Sequence, residues 1–243
     1  MPGENKHVVF DVVGTCISYD NYFDAIEERL GDRFRAQNIG SRLFGYCWME
    51  AGEREYTYLS LSGKYIKFFD IFRSIFYRTL LQAGIQEPRE FASDDDLEFL
   101  LQSYRSLKAR PSLAECWGKL RNASFTVWCL TAGDTARVGG YLKAGGVEMP
   151  EDNFVSCDTI GVGKPEPSSY KYILDKFDQK DLDVWFAAAH MWDAAGAKAV
   201  GFRGAWCSVW EKEQCTDIFG EMDVVAADLP AMADGIIEAS TKK

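Results

Sequence analysis

Histidine is scarce: His7 and His190 are the only 2 in 243 residues. A zinc centre built on histidines is therefore not expected. The 7 cysteines are scattered, and no C-x-x-C pair occurs. That excludes zinc ribbons and thioredoxin-type redox motifs, and an odd, scattered set suits free thiols in a reducing compartment. Apolar runs extend only a few residues, too short to span a bilayer. Positive charge is also short, with 27 Lys and Arg against 37 Asp and Glu, a formal net charge of −10. An acidic surface repels phosphate backbones, so nucleic acid is not an expected partner. The start, Met1 to His7, is polar and does not read as a signal peptide, so a cytoplasmic location is expected. Without secretion, the sequon Asn122-Ala123-Ser124 is a chance match.

Familiar catalytic and nucleotide signatures are missing too. No G-x-G-x-x-G follows a strand, and no G-x-S-x-G elbow occurs. Gly163-Lys164 fails as a Walker A loop, because position 158 is Asp and Pro165 replaces the required Ser or Thr. There is no internal repeat and no low-complexity linker.

What is present is a core-forming composition, 47% hydrophobic and 26% charged. A chain of this length buries roughly 70–75% of its unfolded surface. Val8-Val9-Phe10 reads as a buried strand running into Asp11 and the Gly14-Thr15 turn. Residues 20–107 differ in texture. Phe23, Ile26 and Leu30 recur at helical spacing, as do Tyr65, Phe68, Phe69, Phe72, Phe76 and Leu80. Leu97, Leu100, Leu101, Tyr104 and Leu107 continue the pattern, with Asp94 as an N-cap. Strand signals are nearly absent there, so this block reads as a helical insertion. Its Asp94-Asp95-Asp96 run reads as a solvated helix start.

After Pro111, strands and helices alternate. Strands are expected at 125–130, 154–156, 184–189, 205–209 and 224–225. Helices are expected at 135–144, 167–177, 194–200 and 229–239. The pattern predicts an α/β fold with a Rossmann-like parallel sheet covered on both faces. The core would comprise residues 1–18 and 108–243, and a helical cap residues 19–107.

In open α/β sheets, ligands sit outside the carboxyl ends of the strands. Asp11, Thr131, the Gly161-to-Pro165 loop carrying Lys164, and His190 with Asp193 all fall at such ends. An Asp there is a competent nucleophile if a cation lowers its pKa and orients it, and Lys164 could be that cation. Taken singly, each has a plainer reading. Asp11 could be a turn residue, Lys164 a surface lysine, Thr131 or Asp193 a helix cap and His190 a structural histidine.

Their order carries a resemblance. Phe10-Asp11-Val12-Val13-Gly14-Thr15, Leu130-Thr131-Ala132-Gly133, Gly163-Lys164-Pro165 with Tyr170, and Ala188-Ala189-His190-Met191-Trp192-Asp193 occur in sequence. They resemble the four motifs of the haloacid dehalogenase superfamily, the last in the form of its type II 2-haloacid dehalogenase branch. The resemblance implies a hydrolase with Asp11 as nucleophile, forming a covalent aspartyl intermediate that water cleaves. Thr131 would contact the developing charge, Lys164 would neutralise Asp11, and Asp193 would hold Lys164, a water or Mg²⁺. Thr15, Ala132, Tyr170, His190, Trp192 and Trp48 would line the substrate site, and the cap would set specificity.

Departures from the family pattern refine this. Superfamily phosphatases carry a second Asp two residues after the nucleophile, a proton carrier typically worth about 10²–10⁴ in rate. Here it is Val13. Attack at carbon with a halide leaving group needs no such acid. The branch's cap arginine has no counterpart in Trp48-Met49-Glu50-Ala51, although Arg54 and Arg42 are near in sequence. Its second-motif Asn is Ala132, and its fourth-motif Ser and Asn are Ala188 and His190. A simple 2-haloacid would lose polar anchors, so a non-standard small organic substrate is expected. Two alternatives stand beside this. One is a Mg²⁺-dependent phosphatase of a small organic phosphate or diphosphate. The other is a non-catalytic binding protein, suggested by Val13, Ala132 and Ala188. Asp11, Asp193 and the Val13 carbonyl could hold an optional Mg²⁺, and no organic cofactor is expected. The cap aromatics Tyr19, Tyr22, Phe44, Tyr46, Trp48, Tyr56 and Tyr58 read mostly as helix packing. An apolar cap face would suit a homodimer.

Overall fold

The computed structural model describes residues 5–178, 180 and 182–241. The chain divides into two compact units, Met1–Ser18 with Ala109–Lys243, and Tyr19–Lys108.

The first unit opens with β1 (Lys6–Asp11), followed after a tight turn by β2 (Ile17–Ser18). Gly14 has φ 92°, a left-handed conformation that favours glycine. Its N–H donates to the Ile17 carbonyl at 2.8 Å and closes the turn.

The second unit is helical: α1 (Asp20–Ala36), α2 (Ser41–Leu61), α3 (Phe68–Ser74), α4 (Phe76–Gln82), α5 (Pro88–Phe91) and α6 (Asp94–Tyr104). Apolar residues three and four apart give α1 one buried face through Phe23, Ile26, Leu30 and Phe34. Gly45 lets α2 come close to it, since a Cβ there would lie 2.7 Å from the Ile26 methyl. Aromatic rings fill the interior. Trp48 stacks on Phe72 at 4.0 Å between centroids, and Tyr104 meets both Tyr22 and Phe72.

Two expectations for α6 are corrected. Its N-cap is Ser93, not Asp94, in a reciprocal capping box with Asp96. The acidic run is not wholly solvated either, because Asp96 is buried and takes Arg29 at 2.5 Å and Arg33 at 2.8 Å.

The chain passes from the second unit back to the first within β3 (Lys108–Ala109), and continues with α7 (Leu113–Asn122), β4 (Thr126–Thr131), α8 (Thr135–Ala144), β5 (Phe154–Ser156), α9 (Cys157–Ile160) and α10 (Pro167–Leu174). It ends with β6 (Asp183–Ala188), α11 (Met191–Lys198), β7 (Arg203–Cys207), α12 (Thr216–Phe219), β8 (Val224–Ala226) and α13 (Leu229–Thr241). Among the described residues, six strands form one parallel sheet in the order β5-β4-β1-β6-β7-β8.

Side chains alternate across a strand, so Phe10 and Val9 face opposite ways. Phe10 meets Trp117 of α7. Phe186 is in register with Val9 and meets Tyr170 of α10. The sheet therefore has helices on both faces. Strand order reverses about β1, with β4 on one side and β6 on the other, and that opens a crevice at their carboxyl ends.

Candidate active site

Asp11 ends β1 beside that crevice and is nearly buried. Three side chains converge on its carboxylate. Lys164 Nζ donates to Oδ1 at 2.8 Å, and the Thr15 hydroxyl donates to Oδ2 at 2.6 Å. His190 Nδ1 lies 3.1 Å from the same Oδ2. Thr15 is fixed in turn, because its oxygen accepts the Ala189 N–H at 2.8 Å. Arg110 donates to the carbonyls of Thr15 and Gly14 at 3.0 and 2.9 Å and so pins the turn.

Lys164 spends its ammonium on three acceptors. Besides Asp11, it reaches Asp193 Oδ2 at 2.5 Å and the Leu130 carbonyl at 3.4 Å. The other Asp193 oxygen takes the Tyr170 hydroxyl at 2.5 Å. Asp193 lies in the first turn of α11 with no exposed surface, and the N-cap of that helix is His190.

Charge and burial set the protonation states. Burial alone would raise the Asp11 carboxyl, but the Lys164 ammonium and the His190 contact outweigh it and hold Asp11 well below the usual carboxylate range. Burial also works against the Lys164 charge, yet Asp11 and Asp193 keep it above the ordinary lysine value. Asp193 moves the other way, raised by burial and by the charge on Asp11 despite Lys164. For His190, burial is outweighed by the hydrogen bond and charge of Asp11, with Glu211 and Asp193 adding to the rise. Glu211 is itself raised by burial and accepts the Met191 N–H at 2.6 Å.

Of the other sequence candidates, Thr131 is buried and its hydroxyl accepts the Gly133 N–H at 3.1 Å. Ala132 is half-buried in the same loop. Trp192 is half-buried, with its ring 5.8 Å from Lys164 Nζ and 5.7 Å from the His190 ring. Val13 adjoins the Asp11 turn and offers only a backbone carbonyl. Trp48 is a residue of α2. It is fully buried in the helical unit, and its indole N–H donates to the Phe72 carbonyl at 2.9 Å. Arg42 lies over the Phe23 ring, and Arg54 pairs loosely with Glu55. Glu211 and Arg110 escape the sequence reading; only their places near strand ends point to them.

The donor set does not fit Mg²⁺. An ammonium already bridges the two carboxylates, both Asp193 oxygens accept short hydrogen bonds, and an imidazole of raised basicity stands against Asp11 Oδ2. Among the described residues, no group of three or more His, Cys, Asp or Glu is placed to hold a metal.

A family model, haloacid dehalogenase-like hydrolase, matches residues 5–201. The chain belongs to the haloacid dehalogenase-like hydrolases. It is similar to (S)-2-haloacid dehalogenase 1 of Pseudomonas sp. strain CBS-3, 27% identical over 195 residues, covering 79% of this chain and 83% of that protein. A shorter match reaches (S)-2-haloacid dehalogenase 4A of Burkholderia cepacia, 31% identical over 42% of this chain and 45% of that protein. The L-2-haloacid dehalogenase structure from Xanthobacter autotrophicus shares the fold. Its TM-score is 0.74 at 22% identity, with 95% of this chain and 97% of that chain covered. The chain is thus a hydrolase of the haloacid dehalogenase superfamily, homologous to the 2-haloacid dehalogenases. No described helix is long and apolar enough to cross a membrane.

Proposed function

We propose that this hydrolase is metal-independent and uses Asp11 to displace a leaving group, a halide in the simplest case, from the carbon next to the carboxylate of a small organic acid. The Asp11 oxygen forms a C–O bond as the carbon–halogen bond breaks, leaving an aspartyl ester and a halide ion. Water then adds to Cγ of Asp11, and cleavage of the Cγ–O bond releases a 2-hydroxy acid. The observation that carries this reading is the Lys164–Asp11 contact at 2.8 Å beside a Val13 that cannot transfer a proton. Displacement of halide needs an ionised, oriented carboxylate and no acid for the leaving group.

Lys164 keeps Asp11 ionised and later polarises the ester carbonyl. Asp193, held by Tyr170, keeps Lys164 in place. Thr15 orients Oδ2. Ala132, Ala188 and His190 leave fewer neutral polar anchors than a simple 2-haloacid uses, so the preferred substrate is a bulkier or differently substituted acid. The direct test is a parallel screen of 2-halogenated acids and organic phosphates, with and without EDTA, against wild type and Asp11→Asn. Halide release that resists EDTA and vanishes in Asp11→Asn supports the reading. Phosphate release abolished by EDTA would replace it.

A further inference from the structure

Hydrolysis of an aspartyl ester requires proton transfer from water, and Val13 occupies the position where superfamily phosphatases place a proton carrier. The groups around Asp11 differ sharply in their capacity to supply that step. Asp193 has both oxygens engaged at 2.5 Å and a fully buried side chain. Lys164 is 3% exposed, spends its donors on three acceptors and is held protonated. Thr15 is fully buried, donating to Asp11 and accepting from Ala189. The Cys16 thiol is buried too, donates to the Asp11 carbonyl, and is pushed up by burial. His190 differs from all of them. Its side chain is 12% exposed, and Nδ1 lies 3.1 Å from Asp11 Oδ2.

We propose that His190 is the acid–base catalyst of the second half-reaction, taking a proton from the water that attacks Cγ of the Asp11 ester. This rests on the aspartyl-ester reading above. The water oxygen bonds to Cγ as its proton passes to the imidazole, and the carbonyl electrons move onto the oxygen facing Lys164. Collapse of that adduct breaks the bond between Cγ and the Asp11 oxygen already joined to the substrate carbon, and that oxygen takes the proton back from His190 and leaves as the product hydroxyl. The second water proton stays on the regenerated Asp11 carboxyl and leaves to solvent. A general base of this kind is typically worth about 10²–10⁴ in rate.

The groups facing the imidazole are Asp11 from β1, Asp193 and Trp192 from α11, and Glu211 from the loop after β7. The acidic ones favour the charged form. A base must be neutral, so the ester-cleavage rate rises with pH as the imidazole loses its proton.

The test is a rapid-quench single turnover of 2-bromopropionate by wild type, His190→Asn and His190→Gln, reading bromide and the intact protein mass at each time. The expected result is one bromide per site in both variants, released faster than the ester is cleaved, with the protein accumulating as the Asp11 adduct. Steady turnover then falls by about 10²–10³-fold and its rising pH limb is lost. Bromide release without adduct, with an unchanged pH profile in either folded variant, would overturn the assignment alone. No halide from wild type with 2-bromopropionate or with any other 2-halogenated acid of the parallel screen would overturn the function reading itself and this assignment with it.

Discussion

The Lys164 ammonium lies 2.8 Å from the Asp11 carboxylate, although 153 positions separate them in the chain. The contact joins the end of β1 to the loop before α10, and it is nearly closed to water. A cation at this distance in a site of low polarity acts far more strongly on Asp11 than it would at a surface.

Replacing Lys164 by Met should therefore do two things. Halide release should fall below detection, and stability should drop by about 3–5 kcal/mol, because two buried carboxylates lose their shared counter-charge. Urea unfolding at neutral pH measures the second effect. Lys164→Arg should not restore activity, since a planar fork cannot occupy the place of a compact ammonium between Asp11 and Asp193.

Tyr170 acts one step further out. Tyr170→Phe leaves Asp193 Oδ1 without the hydroxyl that donates at 2.5 Å. The expected cost is about 1–3 kcal/mol in stability, with a fall in kcat and little change in KM. Denaturant midpoints and steady-state kinetics check the two parts. A wild-type kcat would show that the bond is dispensable for orientation.

His7 gives a pH dependence separate from the active site. It is buried, stacks on Phe177 at 4.1 Å and accepts the Trp128 N–H at 3.1 Å. Burial lowers its pKa from 6.5 to about 4. The unfolded chain therefore takes up this proton first as pH falls. The associated stability is fully present above about 6.5 and is lost as pH drops through about 4. Urea midpoints measured across that window should decline less steeply in His7→Gln than in wild type.

The helical unit has its own ionic anchor. Asp96 caps α6 with Ser93 and takes both Arg29 and Arg33. Asp96→Asn should cost about 2 kcal/mol, the loss expected for hydrogen bonds to a charged group. Thermal unfolding is the measurement, and Arg29→Gln alone should cost less, since Arg33 remains.

Much of the core was legible because periodicity records burial. The run ending in Asp11 and the helix at 135–144 are visible in the apolar pattern and match β1 and α8. The same spacing exists in Leu113, Cys116, Trp117 and Leu120, but Pro111 before it and Gly118 within it mask α7. Strand alternation announces a parallel sheet yet not its order, because which strand lies beside β1 depends on pairing across more than a hundred residues. The position of Asp11, Lys164, His190 and Asp193 at strand ends is legible, but their hydrogen-bond partners are not. Asp96 shows the same limit, since its arginines lie on α1. Glu211 and Arg110 sit in loops, where no periodicity marks a residue.

In the proposed reaction Asp11 itself bonds to the substrate. A single turnover of 2-bromopropionate with enzyme in excess in ¹⁸O-water tests it most directly. The label should enter the Asp11 carboxylate while the 2-hydroxy acid product stays unlabelled. Label in the product with an unlabelled Asp11 would mean that water attacks the substrate directly, and the claim would fail.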